Sequence, residues 1–444
     1  MFKSYFSLCT SGLFWLKECL MHPRLGRAWK ESGGYDSLSR SELDSVVERK
    51  LSALLRHAVK TVPFYMKWFL EHHLDADNPK LEDFPVLSKP DIRGREEEFI
   101  SKGFPRRELR LSHTSGSTGE PFAFYKTKAD IDYTYANLWR GMLRFGIRPG
   151  MKRVLIQGFD DKPVLSVYAK AKRAIKGWLN KCLEIDAHFL ARTDANIELA
   201  LKKILRYRPD YIHGYVSSIY LLARYASEHG IDVSALKLVA VVTESEKCYP
   251  FQREMIERVF GSQVIEYYGS VEFGMIAQPA KDGKFCINED HVYVETTSDG
   301  DAVFTNLDAW GWTLIRFKNG DMLKLGDKHP QLPYRTIQEI DGRKTELIHL
   351  PQGGSLQGFI VMYPLYKHSQ YLKAYQIHQT DITHLTIRMV LACNMPKEVL
   401  QSIVFEMQTI VGDAIEIKTQ FVDDISLSRA GKRLFVRSDV KEVV

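Results

Sequence analysis

Ser112-His113-Thr114-Ser115-Gly116-Ser117-Thr118-Gly119-Glu120-Pro121 places five hydroxyls and two glycines within ten residues. Glycine lets backbone N–H groups approach an anion closely, and the hydroxyls add side-chain donors, which together are what a triphosphate cradle requires. No Gly-Lys-Ser/Thr closes the run, so it is not a P-loop. A Ser/Gly linker is a poorer account, because this run ends in Gly-x-Pro and is expected to lie between a strand and a helix.

Outward from this loop the chain alternates between two periodicities. Leu51, Leu54, Leu55 and Val59 recur at helical spacing. Residues 130–145 read as a helix and Arg153 to Gln157 as a short buried strand. Helices are expected over Val164 to Leu179, Ile197 to Tyr207, Ser217 to Glu228 and 250–260, with strands at Tyr211 to His213, Leu236 to Val242 and Val264 to Tyr268. Strands alternating with helices of this length imply βαβ units and a largely parallel sheet, with ligands at the carboxyl ends of the strands.

From about Asp290 to Ile340 the pattern changes to short strands with Gly and Asp turns, among them Val292 to Glu295, Ala302 to Thr305 and Thr313 to Phe317, which suggests an antiparallel sheet or small barrel. Beyond Gly342, strands near 371–379, 383–392 and 414–421 and a helix from Pro396 to Val411 read as a small α+β domain. The expected fold is therefore α/β. Residues 1–341 form a large domain with parallel βαβ sheets and a barrel-like part, and residues 342–444 form a small one.

Composition bounds the function. A chain of 444 residues with 45% hydrophobic and 26% charged residues is an ordinary globular protein, not a disordered or collagenous one. A net charge of +6 is too small for a dedicated nucleic-acid binder, so no nucleic-acid partner is expected. Six cysteines stand far apart without a C-x-x-C pair, which suggests neither a structural zinc site nor a disulfide framework, and reads as a reducing cytoplasmic compartment. The apolar stretch Tyr5 to Leu16 is too short to span a bilayer. It reads as a helix docked on the body, with membrane contact through residues 2–20 as the lesser alternative.

The loop at 112–121 resembles the phosphate-binding motif of the adenylate-forming (ANL) superfamily, T-S-G-S/T-T-G-x-P. Tyr267-Tyr268-Gly269-Ser270-Val271-Glu272 is similar to that superfamily's Y-G-x-T/S-E motif, with Thr243-Glu244-Ser245 just upstream. Thr305-Asn306-Leu307 followed by Leu314-Ile315-Arg316-Phe317-Lys318-Asn319-Gly320-Asp321 is similar to its T-N-L and P-L-I-R-Y-x-T-G-D block. Ile340-Asp341-Gly342-Arg343 looks like the domain-junction G-R, and Ser428-Arg429-Ala430-Gly431-Lys432-Arg433 resembles the C-terminal R-x-x-G-K loop. The resemblance covers roughly residues 45–440.

What it implies is specific. Thr114, Ser115, Gly116, Ser117, Thr118 and Gly119 would hold phosphates of ATP, Tyr268 would stack on adenine, and Thr243, Glu244, Tyr267, Gly269 and Ser270 would complete the nucleotide site. Asp321 would grip the ribose hydroxyls, as suits an acceptor-only carboxylate. Glu272 would hold Mg²⁺, while Arg343 and Lys432 would act on the moving phosphate end. The early segment Leu55-Arg56-His57-Ala58 with Val62-Pro63-Phe64-Tyr65 is similar to the phenylacetate-CoA ligase-like branch and its capsular-polysaccharide (CapK-like) subgroup. There His213, Gly214 and Tyr215 would line the acyl pocket, with an N-cap by Ser217 or Ser218 as an equally simple reading.

The implied activity is ATP- and Mg²⁺-dependent formation of acyl-AMP from a small carboxylic acid. The acyl group then passes to an acceptor such as an amino sugar or glycan precursor, or to CoA in the alternative of an acyl-CoA synthetase. Three departures bear on this: Phe122 where many members carry lysine, Thr313 where many carry proline, and Thr345 at the usual acidic hinge position. They motivate a second alternative, a non-catalytic scaffold that kept the fold. His113 reads as a solvated loop residue, Asp308-Ala309-Trp310-Gly311-Trp312 as packing, and Lys170 to Lys181 as a solvated helix face.

Overall fold

In the computed structural model the described residues are 14, 18, 20–22, 24–113, 122–158, 177–343, 347–428 and 432–440. The chain divides into two compact units, Met1–Ile340 and Asp341–Val444. The phosphate-loop residues 114–121, the hinge position Thr345 and most of the expected helix Val164 to Leu179 lie outside the described residues, as does most of the 2–20 segment, of which Phe14 and Glu18 are buried.

Two strands flank the Ser/Gly loop. Strand β1 (Leu109–His113) and β2 (Ala123–Thr127) pair antiparallel from Leu109↔Thr127 to His113↔Ala123. The expectation of a strand on one side and a helix on the other is corrected here: the loop joins a hairpin, and the helix, Lys128–Arg144, starts only after β2. Thr127 caps that helix, accepting from the Asp130 N–H while the Asp130 carboxylate accepts from the Thr127 N–H, a capping box that fixes where the helix begins.

The parallel sheet is built from β3 (Arg153–Gln157), β4 (Cys182–Asp186), β5 (Tyr211–Tyr215), β6 (Ala240–Glu244) and β7 (Val264–Glu266), in the order β4-β3-β5-β6-β7. All four pairings are parallel. Val154, Ile156, Ile212 and Val241 pack on one side against helices Asp194–Tyr207, Val216–Glu228 and Pro250–Phe260. Tyr211, Ala240, Val242 and Ile265 pack on the other side with Trp139 and Met142 of helix Lys128–Arg144. Burial on both faces is what a parallel sheet needs. The expected strand from Leu236 is shorter, because Ser234–Leu236 is a 3-10 turn and Lys237 adopts a left-handed conformation. β4 was not anticipated; its alternation of Leu183, Glu184, Ile185 and Asp186 is weak as a buried-strand signal.

A seven-stranded sheet follows, comprising β8 (Tyr268–Ser270), β9 (Gly274–Pro279), β10 (Phe285–Ile287), β11 (Val292–Thr296), β12 (Asp301–Asn306), β13 (Phe317–Lys328) and β14 (Arg335–Arg343) in the order β11-β12-β13-β14-β10-β9-β8. It forms a half-barrel whose core includes Phe273, Phe304, Phe317 and Tyr334, all nearly inaccessible. The expected strand Thr313 to Phe317 is corrected: the strand begins at Phe317. The Ile315 N–H donates to the Tyr65 hydroxyl and the Arg316 N–H to Thr305 Oγ1, so side chains take the donors a ladder would use. Arg316 has φ of 54°, which breaks the extended path. Phe122, one of the noted departures, is core: it stacks with Phe124 and Phe317. Trp312 is buried as well, donating its indole N–H to the Glu96 carbonyl.

The second unit carries β15 (Leu347–His349), β16 (Ser355–Gln357), β17 (Leu372–Asp381), β18 (His384–Leu391), β19 (Glu416–Phe421) and β20 (Val436–Ser438). Its main sheet has the order β19-β18-β17-β20, with an antiparallel β17–β18 hairpin flanked by two parallel pairings. Ile377, Ile387 and Met389 of the sheet and Ile403 and Met407 of helix Lys397–Val411 are fully buried. No helix among the described residues is long and apolar enough to cross a membrane.

Candidate active site

Apart from Arg343 and Lys432, the described site residues fall into three groups on the first unit. Tyr268 lies on β8 and Asp321 on β13, 53 residues apart in the chain, and the Tyr268 hydroxyl donates to Asp321 Oδ2 at 2.8 Å. Asn319 holds the same carboxylate from its own strand. Its Nδ2 donates to Oδ2 at 2.7 Å, and its Oδ1 accepts from the Asp321 N–H at 2.9 Å. Asp321 is thus oriented by two side chains, of which Asn319 stands inside the quoted motif without having been singled out.

The neighbouring tyrosine goes elsewhere. Tyr267 donates its N–H to the Thr243 carbonyl and packs with Trp139 and Tyr211 in the core beneath the sheet, its hydroxyl buried without a hydrogen-bond partner. Burial pushes its phenol far above the ordinary value. Thr243 is likewise fully buried, its Oγ1 unpartnered. The structure therefore separates these two from the Tyr268–Asp321 pair: Tyr267 lies between β7 and β8 with its ring in the core beneath the parallel sheet, whereas Tyr268 packs in the half-barrel core.

Glu272 occupies the turn between β8 and β9. Ser270 Oγ accepts from the Phe273 N–H at 3.2 Å, and Gly274 completes the turn with φ of 69°. Its missing Cβ matters, because one would stand 2.5 Å from Thr134 Cγ2. Gly269 is constrained in the same way, where a Cβ would meet the Gly274 carbonyl oxygen at 2.4 Å. Glu272 is 8% exposed, and its Oε1 lies 3.4 Å from Lys89 Nζ. Lys89 also stands over the Phe122 ring, 6.0 Å from its centre. Lys126 is nearby: burial lowers its ammonium pKa, opposed by the Asp130 and Glu272 carboxylates. Among the described residues no group of three or more His, Cys, Asp or Glu could hold a metal by itself. One hard carboxylate oxygen is nonetheless the usual protein share for Mg²⁺ carried on nucleotide phosphates, so Glu272 fits that ion.

The third group sits at the carboxyl ends of β3, β5 and β6. Gln157 Nε2 donates to Glu244 Oε1, and His213 Nε2 lies 3.0 Å from Glu244 Oε2. Gly214 is required beside it, since a Cβ there would stand 2.2 Å from the Ile156 carbonyl oxygen. Tyr215 is buried, which pushes its phenol up to about 12 against the lowering effect of the Gly158 backbone. The N-cap expected of Ser217 or Ser218 is corrected: the helix Val216–Glu228 has Tyr215 at its N-cap position and no side-chain cap, so both serines lie inside it. Glu246, from the loop after β6, accepts from the Ser217 N–H at 2.7 Å and from its hydroxyl at 3.0 Å, placing a carboxylate at the helix N-terminus. Gln157 and Glu246 were not anticipated, because their roles depend on strand order and not on local pattern.

Arg343 is the last residue of β14. In the second unit Lys432 closes a short loop with Ser428: the Ser428 N–H donates to the Lys432 carbonyl at 2.9 Å, and the Lys432 N–H donates to Ser428 Oγ at 3.1 Å. The positions between them, 429–431, lie outside the described residues, as do Thr114 to Gly119.

The fold combines a two-faced parallel sheet, a half-barrel and an α+β unit. It is shared with 2-hydroxyisobutyryl-CoA ligase in the postadenylation state in complex with R3-HIB-AMP (TM-score 0.71, 20% identity, 91% of each chain) and with the acyl acid amido synthetase AtGH3.15 in complex with 2,4-DB (TM-score 0.59, 14% identity, 90% of this chain and 92% of that one). In sequence the chain is similar to CapK and to the phenylacetate-coenzyme A ligases. It is 22% identical to Protein CapK of Staphylococcus aureus over 92% of both chains. It is 26% identical to phenylacetate-coenzyme A ligase of Pseudomonas putida over 79% of this chain and 81% of that one. Residues 351–439 match the CapK C-terminal domain. Of these proteins, the phenylacetate-coenzyme A ligase and the 2-hydroxyisobutyryl-CoA ligase are CoA ligases and AtGH3.15 is an amido synthetase.

Proposed function

We propose that this chain is an ATP-dependent adenylate-forming ligase that activates a carboxylic acid as acyl-AMP, releases pyrophosphate and passes the acyl group to an acceptor in building a surface polysaccharide. The observation that carries the reading is the meeting of Tyr268 and Asp321 at 2.8 Å, with Glu272 in the turn that follows the strand of Tyr268 and the Ser/Gly run of the sequence joining the paired ends of β1 and β2. A substrate carboxylate oxygen attacks the α-phosphorus, the bond from that phosphorus to the bridging oxygen breaks, and pyrophosphate leaves. An amine, hydroxyl or thiol then attacks the acyl carbon, loses its proton and displaces AMP.

Such chemistry needs positioning and charge, not a side-chain nucleophile. Asp321 would accept from the ribose hydroxyls, with Tyr268 and Asn319 keeping it oriented. Mg²⁺, where bound, neutralises phosphate charge, and Glu272 would hold it. Lys432 would bring an ammonium to the charge that develops on the transferring phosphate. The polysaccharide role is supported by the resemblance to the CapK-like subgroup. CoA as acceptor is the second reading, favoured by the phenylacetate-coenzyme A ligase relatives and by the CoA-bound 2-hydroxyisobutyryl-CoA ligase of the same fold.

The test is pyrophosphate release across a panel of carboxylic acids with ATP and Mg²⁺, followed by mass spectrometry with CoA or amino sugars added. Acid-dependent release supports the reading, and thioester against amide or ester product decides the acceptor. ATP that fails to bind overturns it in favour of the scaffold.

A further inference from the structure

The group at the ends of β3, β5 and β6 contains more polar chemistry than an apolar acid can use. β5 lies between β3 and β6, with Gly214 opposite Ile156 on one side and Thr243 on the other, so Gln157, His213 and Glu244 come from three adjacent strands. His213 is 7% exposed. Its Nε2 is 3.0 Å from Glu244 Oε2 but is not aligned for a hydrogen bond, and neither ring nitrogen has a hydrogen-bond partner. Glu244 is fixed from the other side by Gln157. The imidazole cannot retreat with its strand, because Gly214 already brings the β5 backbone against the Ile156 carbonyl.

An imidazole withdrawn from water with no hydrogen-bond partner on either ring nitrogen is costly unless a ligand supplies the missing partner. Ligands of parallel sheets gather at these strand ends. An alkyl or aryl group placed there would return nothing to the imidazole. A hydroxyl returns both a donor and an acceptor. With the imidazole proton on Nε2, facing Glu244, the Nδ1 lone pair accepts the hydroxyl proton.

Resting on the adenylation reading above, we propose that the acid this protein activates carries a hydroxyl group recognised by His213 and Glu244. A site built to hydrogen-bond a substrate hydroxyl rejects the analogue that lacks it far more strongly than an apolar pocket rejects an added one.

The experiment is ATP–pyrophosphate exchange with acids paired to differ by one group: 3-hydroxybutyrate against butyrate, 4-hydroxyphenylacetate against phenylacetate, and 3-hydroxypropionate against both propionate and β-alanine. The wild type is expected to favour the hydroxylated member of at least one pair by roughly 100-fold or more in kcat/KM. His213→Leu should reduce that ratio to within about threefold, and His213→Gln, which keeps a donor and an acceptor, should retain part of it. An ATP-induced thermal shift in each variant confirms that it is folded. Exchange that prefers the unsubstituted acids, or a ratio unmoved in folded His213→Leu, overturns the inference and leaves adenylation standing. Preference for β-alanine that is lost in Glu244→Gln replaces the hydroxyl with an ammonium and overturns it too. No exchange with any acid overturns the adenylation reading and the inference with it.

Discussion

The Tyr268 hydroxyl donates to Asp321 Oδ2 across 2.8 Å, so the residue proposed to stack on adenine also clamps the carboxylate proposed to bind ribose. Removing the carboxylate should therefore cost more than removing the clamp. Calorimetric ATP binding is expected to weaken on the order of 100-fold in Asp321→Ala and about 3- to 10-fold in Tyr268→Phe, the range of one charged and one neutral hydrogen bond. Equal affinity in both variants and wild type would remove this pair from the nucleotide site.

Lys432 is held in a loop by its backbone, through Ser428, while its side chain is the group assigned to chemistry. Lys432→Ala should slow pyrophosphate release about 100-fold, the scale of a lost transition-state donor, and leave ATP affinity within about threefold. A full rate in the variant would show that this loop takes no part in adenylation.

Glu272 is the acidic residue assigned to Mg²⁺, and its partner in the structure is Lys89 at 3.4 Å. In Glu272→Gln the Mg²⁺ concentration giving half-maximal pyrophosphate release should rise roughly tenfold or more, since one charged ligand becomes neutral. An unchanged Mg²⁺ dependence would reassign Glu272 to holding Lys89 alone.

Asp130 offers a test of stability against pH. Burial raises its carboxyl from 3.8 to about 6, against the lowering effects of Thr127 and Lys126, and its Oδ1 has no hydrogen-bond partner. The folded state therefore holds this proton more tightly than the unfolded chain. The resulting stability is complete below about pH 4, falls as pH rises to about 6, and is absent above it. Asp130→Asn keeps an acceptor for the helix cap and removes the charge. It should stabilise the protein at neutral pH by about 2–3 kcal/mol at most and have little effect near pH 4, read from melting temperatures at the two pH values. A constant difference across that range would show that Asp130 does not titrate there.

Much of the fold was legible in the amino-acid sequence. Val154 to Ile156, Tyr211 to His213 and Val241 to Val242 are short apolar runs between helical stretches, and those fixed the parallel sheet. Tyr268 and Asp321 were named from their motifs, and the structure brings them into contact. Other features were illegible for physical reasons. Thr313 to Arg316 looks like a strand, but its donors are taken by Tyr65 and Thr305, the first 250 residues away. Tyr267 and Tyr268 are adjacent and chemically alike, and only the three-dimensional packing sends one ring beneath the parallel sheet and the other into the half-barrel core. Gln157, Lys89 and Glu246 act through neighbours brought close by strand order, which no local spacing encodes.

The β1–β2 hairpin has one more consequence. Its five register pairs tie His113 to Ala123 whatever stands between them, and Phe122 anchors the return strand in an aromatic stack. The contacts that hold this region together are thus supplied by the strands and by Phe122, in stretches of chain separate from the Ser/Gly run proposed to bind phosphate.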